Sequence, residues 1–196
     1  YAVLTRSTGA IYSADLLGAG AGSVVLIALL SLGGPERSVF ILSILAAGAV
    51  LVWGGSIVRF ASVLLLCLDL LLLLTQPAFI RPVMSPSKPL PSALNFPGAA
   101  TIETRYSPYA RIDVFNSPAV RFAPGLSLTY LDPLPPQTGV AVDGGDIHAI
   151  TETGDPSRME FIDHLPSALP FVLRRPRDVL LLETKGGLSV LQAIRS

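Results

Sequence analysis

The sequence is poor in the residues that mark several common chemistries. It has one cysteine, Cys67, so no internal disulfide can form. Only two histidines, His148 and His164, accompany it, and none of the three is spaced as a metal-ligand cluster. No basic block is present, which removes the electrostatic footprint of a nucleic-acid binder. Neither a Gly-x-Ser-x-Gly nucleophile turn nor a lysine P-loop occurs. Charge is scarce in the leading half. Positions 1–100 hold eight charged residues (Arg6, Asp15, Glu36, Arg37, Arg59, Asp69, Arg81 and Lys88), whereas positions 101–196 hold twenty. The formal net charge of zero hides this contrast.

Long apolar runs fill the leading half. They cover roughly Asp15–Gly33, Val39–Gly54 and Ile57–Thr75. A helix needs about 20 mainly apolar residues to cross a bilayer, because lipid offers nothing to an exposed backbone amide. About three transmembrane helices are therefore expected over 1–76. Gly18, Ala19, Gly20, Ala21 and Gly22 read as a face for close helix packing. Trp53 suits the lipid–water interface, and Arg59 can extend its guanidinium toward water. Asp69 is a carboxylate deep in an apolar run, either a transport residue or one paired with a neighbouring helix. Cys67 reads as a small apolar residue. The positive-inside rule places the soluble part in the cytoplasm.

Residues 77–98 hold six prolines and read as a stiff, extended connector, not a helix. A small antiparallel β domain is expected over 99–157. Its strands are read at Ala110–Phe115, Leu126–Tyr130 and Gly139–Val142, with a turn at Asp143-Gly144-Gly145. Over 158–196 the pattern changes. Met159–Leu173 has helical spacing that Pro166 and Pro170 interrupt. Val179-Leu180-Leu181-Leu182 reads as a strand buried on both faces, Glu183–Gly187 as a turn, and Leu188–Ile194 as a helix. Strand, glycine turn and helix form the opening of a Rossmann-like nucleotide-binding domain. With no initiator Met and only one β-α unit, the chain reads as a fragment.

Four stretches together resemble the membrane-embedded bacterial branch of the spermidine/spermine synthase (polyamine aminopropyltransferase) family. They are Tyr12–Ala19; Phe115-Asn116-Ser117-Pro118 with Ala123–Leu128 and Val142-Asp143-Gly144; Glu160–Pro166; and Val179–Ile194. The resemblance implies transfer of an aminopropyl group from decarboxylated S-adenosylmethionine to a polyamine, or a related transfer using S-adenosylmethionine, with no metal. A positioned amine attacks the carbon beside a sulfonium and loses a proton, a task carboxylates assist. It implies cofactor binding by Glu183, Gly186 and Gly187, and substrate binding by Glu160 and His164. It also implies a multi-pass protein of the bacterial inner membrane that contacts lipid, binds a small polyamine and forms a homodimer. Several family positions differ. Met159 stands where the family has an amine-contacting histidine, Gly186 where it has an aspartate, and Ala110 where it has a glutamine. The catalytic aspartate would lie beyond Ser196, so the catalytic residue is unassigned. The alternatives are a family member that binds or senses ligand without catalysis, and a transporter-like membrane protein with a soluble appendage.

Overall fold

The computed structural model describes residues 8–80, 82–154, 156–174 and 176–195; side chains at 156–158 are excluded. Arg6, Arg81 and the Arg158 side chain thus lie outside the described part. The chain divides into two units. The first is Tyr1–Val83 with Arg105–Tyr109; the second is Met84–Thr104 with Ala110–Ser196.

The first unit is built from two helices, α1 (Thr8–Trp53) and α2 (Ser56–Thr75). Both are long and apolar enough to cross a membrane. Where about three helices are expected, two candidate spans are found, the longer made of two helical arms joined at a kink. The break between the apolar runs Asp15–Gly33 and Val39–Gly54 is a bend inside α1, confined to Gly34 (φ 74°, ψ 173°). Pro35 lacks the N–H that would continue the ladder, and glycine accepts the left-handed φ beside it. Ser38 Oγ donates to the Gly34 carbonyl at 2.7 Å. No loop is therefore needed at the break.

The second arm of α1 packs on α2. Ala47, Ser38 and, from α2, Ser62 and Asp69 are buried. Asp69 is paired: Ser43 Oγ donates to its Oδ2 at 2.6 Å. Arg59 Nη2 donates to the Val52 carbonyl at 3.1 Å, placing a cation at the end of α1 where carbonyls are unsatisfied. Elsewhere these helices expose leucine, isoleucine and valine, and Cys67 is exposed too. Exposed apolar surface on this scale is far beyond what a water-soluble monomer carries.

The second unit centres on a four-stranded sheet of order β1 (Ala100–Tyr106), β2 (Arg111–Asn116), β3 (Gln137–Val142) and β4 (Asp146–Thr151). β2 pairs antiparallel with β3, placing Phe115 opposite Gly139, and β3 pairs antiparallel with β4, placing Val140 opposite His148. The β3–β4 hairpin turns through Asp143 (φ 51°) and Gly144 (φ 67°), as the Asp-Gly pair leads one to expect. β1 and β4 were not read from the sequence. Their patterns, ATIETRY and DIHAIT, mix charged and apolar positions on a half-exposed surface.

The proline-rich stretch is not wholly extended. Pro89–Leu94 forms a short helix, α3, with Pro89 at its first position, where a missing N–H costs nothing. Leu90 and Ala93 are buried with Phe115 and Ala141 in the sheet's core. The Leu90 N–H donates to the Gly144 carbonyl at 3.1 Å, which ties α3 to the hairpin turn.

Two expected strands are absent. Leu126–Tyr130 makes tight turns instead, closed by Leu126 N–H to Ala123 O and Tyr130 N–H to Ser127 O. Leu128 is 95% exposed, so alternation there never met a second sheet face. Val179–Leu182 is irregular chain with Leu180 and Leu182 exposed. A strand buried on both faces needs neighbouring strands for its amides and layers above and below. Among the described residues none is provided. The helix after it does form, as α5 (Leu188–Arg195), preceded by the expected glycine turn. Its Leu188 and Leu191 pack on a second core of Met159, Phe161, Ile162 and Leu165. The stretch expected to be helical is two 3-10 segments, Pro156–His164 and Pro166–Ala168, followed by α4 (Leu169–Arg174). The helix of the expected β-α unit is thus present, its strand is not, and a Rossmann-like domain is not established.

Candidate functional site

The glycine turn lies against the sheet. Gly186 approaches β4 so closely that an added Cβ would stand 2.2 Å from the Ala149 carbonyl oxygen and 2.8 Å from its carbon. These are backbone atoms of a paired strand and cannot yield. Gly186 is therefore required for contact between turn and sheet. Gly187, at φ 83°, has open space where its Cβ would be, and its demand is conformational. The Gly187 N–H closes the turn on the Thr184 carbonyl at 2.7 Å.

This seating creates a groove lined by Phe122, His148, Ser167, Ser189 and Gln192 together with Glu183 to Gly186 of the turn. Its cavity volume is about 220 Å³. Drug-sized ligands occupy roughly 300–1,000 Å³, so this groove suits a small ligand or part of a larger one. Gln192, although buried, is satisfied: its Nε2 donates to Ser167 Oγ at 2.6 Å.

The wall beside His148 is rigidly held. Gln137 on β3 clamps the Phe122 backbone from both sides, accepting from its N–H at 2.7 Å and donating to its carbonyl at 3.0 Å. The Phe122 ring then meets His148 edge-on at 5.1 Å. His148 Nε2 lies 2.9 Å from Asp146 Oδ1. The nitrogen is buried there without an aligned hydrogen bond, so the contact is one of proximity, not a directed bond. On the other carboxylate oxygen, Asp146 Oδ2, Lys185 Nζ donates at 2.8 Å. The Lys185 bond, then the His148 contact, hold the Asp146 carboxyl below its ordinary range. The same bond raises the Lys185 ammonium, with Glu183 adding to the effect. Lys185 is matched to Asp146, and Glu183 is the carboxylate that lines the groove.

A second groove, of about 470 Å³, is lined by Ser127, Asp163, His164, Leu165, Leu169 and neighbouring residues. The turn Pro166–Ala168 divides the two: Ser167 faces the first groove, and Pro166 and Ala168 line the second. His164 is exposed and packs at a tilt on Tyr130, ring centres 5.1 Å apart. Burial pushes the Tyr130 phenol up, and the Asp132 and Glu160 carboxylates add to that. Asp163 is held by Arg195 through a two-pronged ion pair.

Of the residues singled out in the sequence, Glu183 and Gly186 line the first groove and Gly187 completes its turn. His164 lines the second, and Glu160 is exposed and lines neither. The expected cofactor and substrate residues are therefore not gathered into one site. Asp146, His148, Phe122 and Gln137 were missed. The Gln137–Phe122 clamp has no local signal, while His148 two residues after Asp146 on an alternating strand was a signal that both side chains share a face. Comparison of the chain with protein-family models, curated proteins and solved structures gave no significant match.

Proposed function

We propose that this chain is a membrane-bound, spermidine synthase-like protein whose water-exposed unit binds a small organic cation at the glycine turn. The activity in this reading is aminopropyl transfer from decarboxylated S-adenosylmethionine, or a related transfer from S-adenosylmethionine, to a polyamine. The observation that carries it is the groove at Glu183–Gly186: it is small, walled by an aromatic ring and an imidazole, and lined by the Glu183 carboxylate, while its lysine is paired with Asp146. Amines and sulfoniums match that charge. The order of parts, from apolar helices to small sheet to glycine turn and helix, supports the same reading. In it, both arms of α1 and the whole of α2 cross the bacterial inner membrane, each about 30 Å or longer at 1.5 Å per residue, and the second unit faces the cytoplasm.

Calorimetry on the detergent-solubilised chain with putrescine, decarboxylated S-adenosylmethionine and S-adenosylmethionine tests the proposal. Putrescine should bind, and Glu183→Gln should weaken it about three- to tenfold. Absence of heat with all three compounds overturns the reading. A second reading, binding without transfer, is favoured by Lys185, whose ammonium already sits on Asp146. Product analysis after incubation with both substrates separates the two: binding with no spermidine formed selects the second.

A further inference from the structure

We propose that Asp146 and His148 form an ammonium subsite at the edge of the groove at the glycine turn, where Asp146 touches the lining residues His148 and Lys185, and that Lys185 fills it in the free protein. Ligand binding is then an exchange of one ammonium for another. This inference rests on the amine-binding reading above and extends it to residues that the resemblance does not include.

The geometry is that of a cation site with an internal occupant. Asp146 presents two oxygens, one 2.8 Å from Lys185 Nζ and the other 2.9 Å from His148 Nε2. The imidazole is 14% exposed and forms the buried wall, whereas the Asp146 and Lys185 side chains are 54% and 41% exposed. Solvent, and hence a ligand, reaches the carboxylate from the lysine side. Lys185 and Glu183 both adopt left-handed backbone, at φ 45° and φ 53°, in a turn fixed on β4 by the Gly186 contact. The lysine is thus presented to β4 by the fold. Its removal would leave the Asp146 carboxylate uncovered beside the groove that Glu183 lines, a match for the two ends of a short diamine. An anionic ligand would find the lysine already matched. Ion pairs this exposed are weak, so a ligand ammonium can replace Lys185 without a large barrier.

The test is titration calorimetry of putrescine against the full chain in detergent at fixed ionic strength. Lys185→Met keeps the stem and removes the charge; it should tighten binding about two- to fivefold. Asp146→Asn should weaken binding, and in the Asp146→Asn background Lys185→Met should give no further gain. Both side chains are exposed, Asn keeps a polar group beside the buried His148 Nε2, and circular dichroism checks the fold. If the wild type binds putrescine, Glu183→Gln weakens it and Lys185→Met leaves it unchanged, the exchange is refuted while amine binding stands. A gain from Lys185→Met that persists undiminished in Asp146→Asn also refutes the exchange, because general charge then explains it. No heat from the wild type and Lys185→Met alike removes amine binding and the exchange together.

Discussion

Gly186→Ala is the sharpest test of how the groove is made. The new methyl would stand 2.2 Å from the Ala149 oxygen, 2.8 Å from its carbon and 3.0 Å from its nitrogen. Non-bonded carbon and oxygen do not approach that closely, so the turn must retreat by about 1 Å. Ala149 is 1% exposed and held in register opposite Gly139, so the strand will not move instead. Forced overpacking of this kind costs about 1–3 kcal/mol. For a unit of this size that is a fall of about 4–15 °C in the thermal midpoint. Gly187→Ala is the matched control. Its Cβ meets nothing, so only the left-handed φ is penalised, at about 1 kcal/mol. Thermal unfolding of the detergent-solubilised chain, followed by near-ultraviolet circular dichroism, should rank Gly186→Ala below Gly187→Ala. Putrescine affinity should fall with Gly186→Ala, because the turn carrying Glu183 and Lys185 withdraws from β4. Equal midpoints for the two variants, or a Gly186→Ala protein as stable as wild type, would refute the claim that glycine is needed there for packing.

Other expectations follow from the same structure. Asp113 is fully buried, its Oδ1 shared by Thr104 at 2.6 Å and Arg111 at 2.8 Å; Asp113→Ala should destabilise by about 2–4 kcal/mol in chemical denaturation, and a neutral result would mean the network is not formed. In the first unit, Ser43→Ala should lower helix-pair stability by about 0.6–2 kcal/mol in mixed-micelle unfolding, and adding Asp69→Ala should cost little more if the two act as one bond. The Lys185–Asp146 contact should persist across neutral pH. Asp146 is held below its ordinary value of 3.8, so its contribution is complete above that value and fades as pH falls through the lowered one. Lys185 is raised above 10.5, so its share is complete below that pH and is lost only at still higher pH. Nuclear magnetic resonance titration of the Asp146 carboxyl, with Lys185→Met as reference, should show its midpoint rising when the lysine is removed.

The sequence alone determined whatever depends on local composition and period. Apolar runs from Asp15 to Thr75 specified helices long and apolar enough to cross a membrane, since a helix satisfies its own backbone amides within one segment. The alternation at Arg111–Phe115 and the Asp-Gly pair at 143–144 specified strand and hairpin, because side-chain direction and turn geometry are local. The glycine turn and α5 were legible for the same reason. Tertiary structure decided the rest. Val179–Leu182 is as apolar as any strand, yet a strand exists only where partners accept its hydrogen bonds. The prolines of residues 77–98 argue for extended chain, but the place of Pro89 at a helix start and the burial of Leu90 with Phe115 made it an initiator. Gly186 carries no sign in the sequence that it faces the Ala149 carbonyl, and Asp146 and Lys185 are 39 residues apart along the chain. Contacts across that separation depend on how β4 and the turn are packed, and it is this packing that brings an ammonium to 2.8 Å and an imidazole to 2.9 Å from one carboxylate beside one groove.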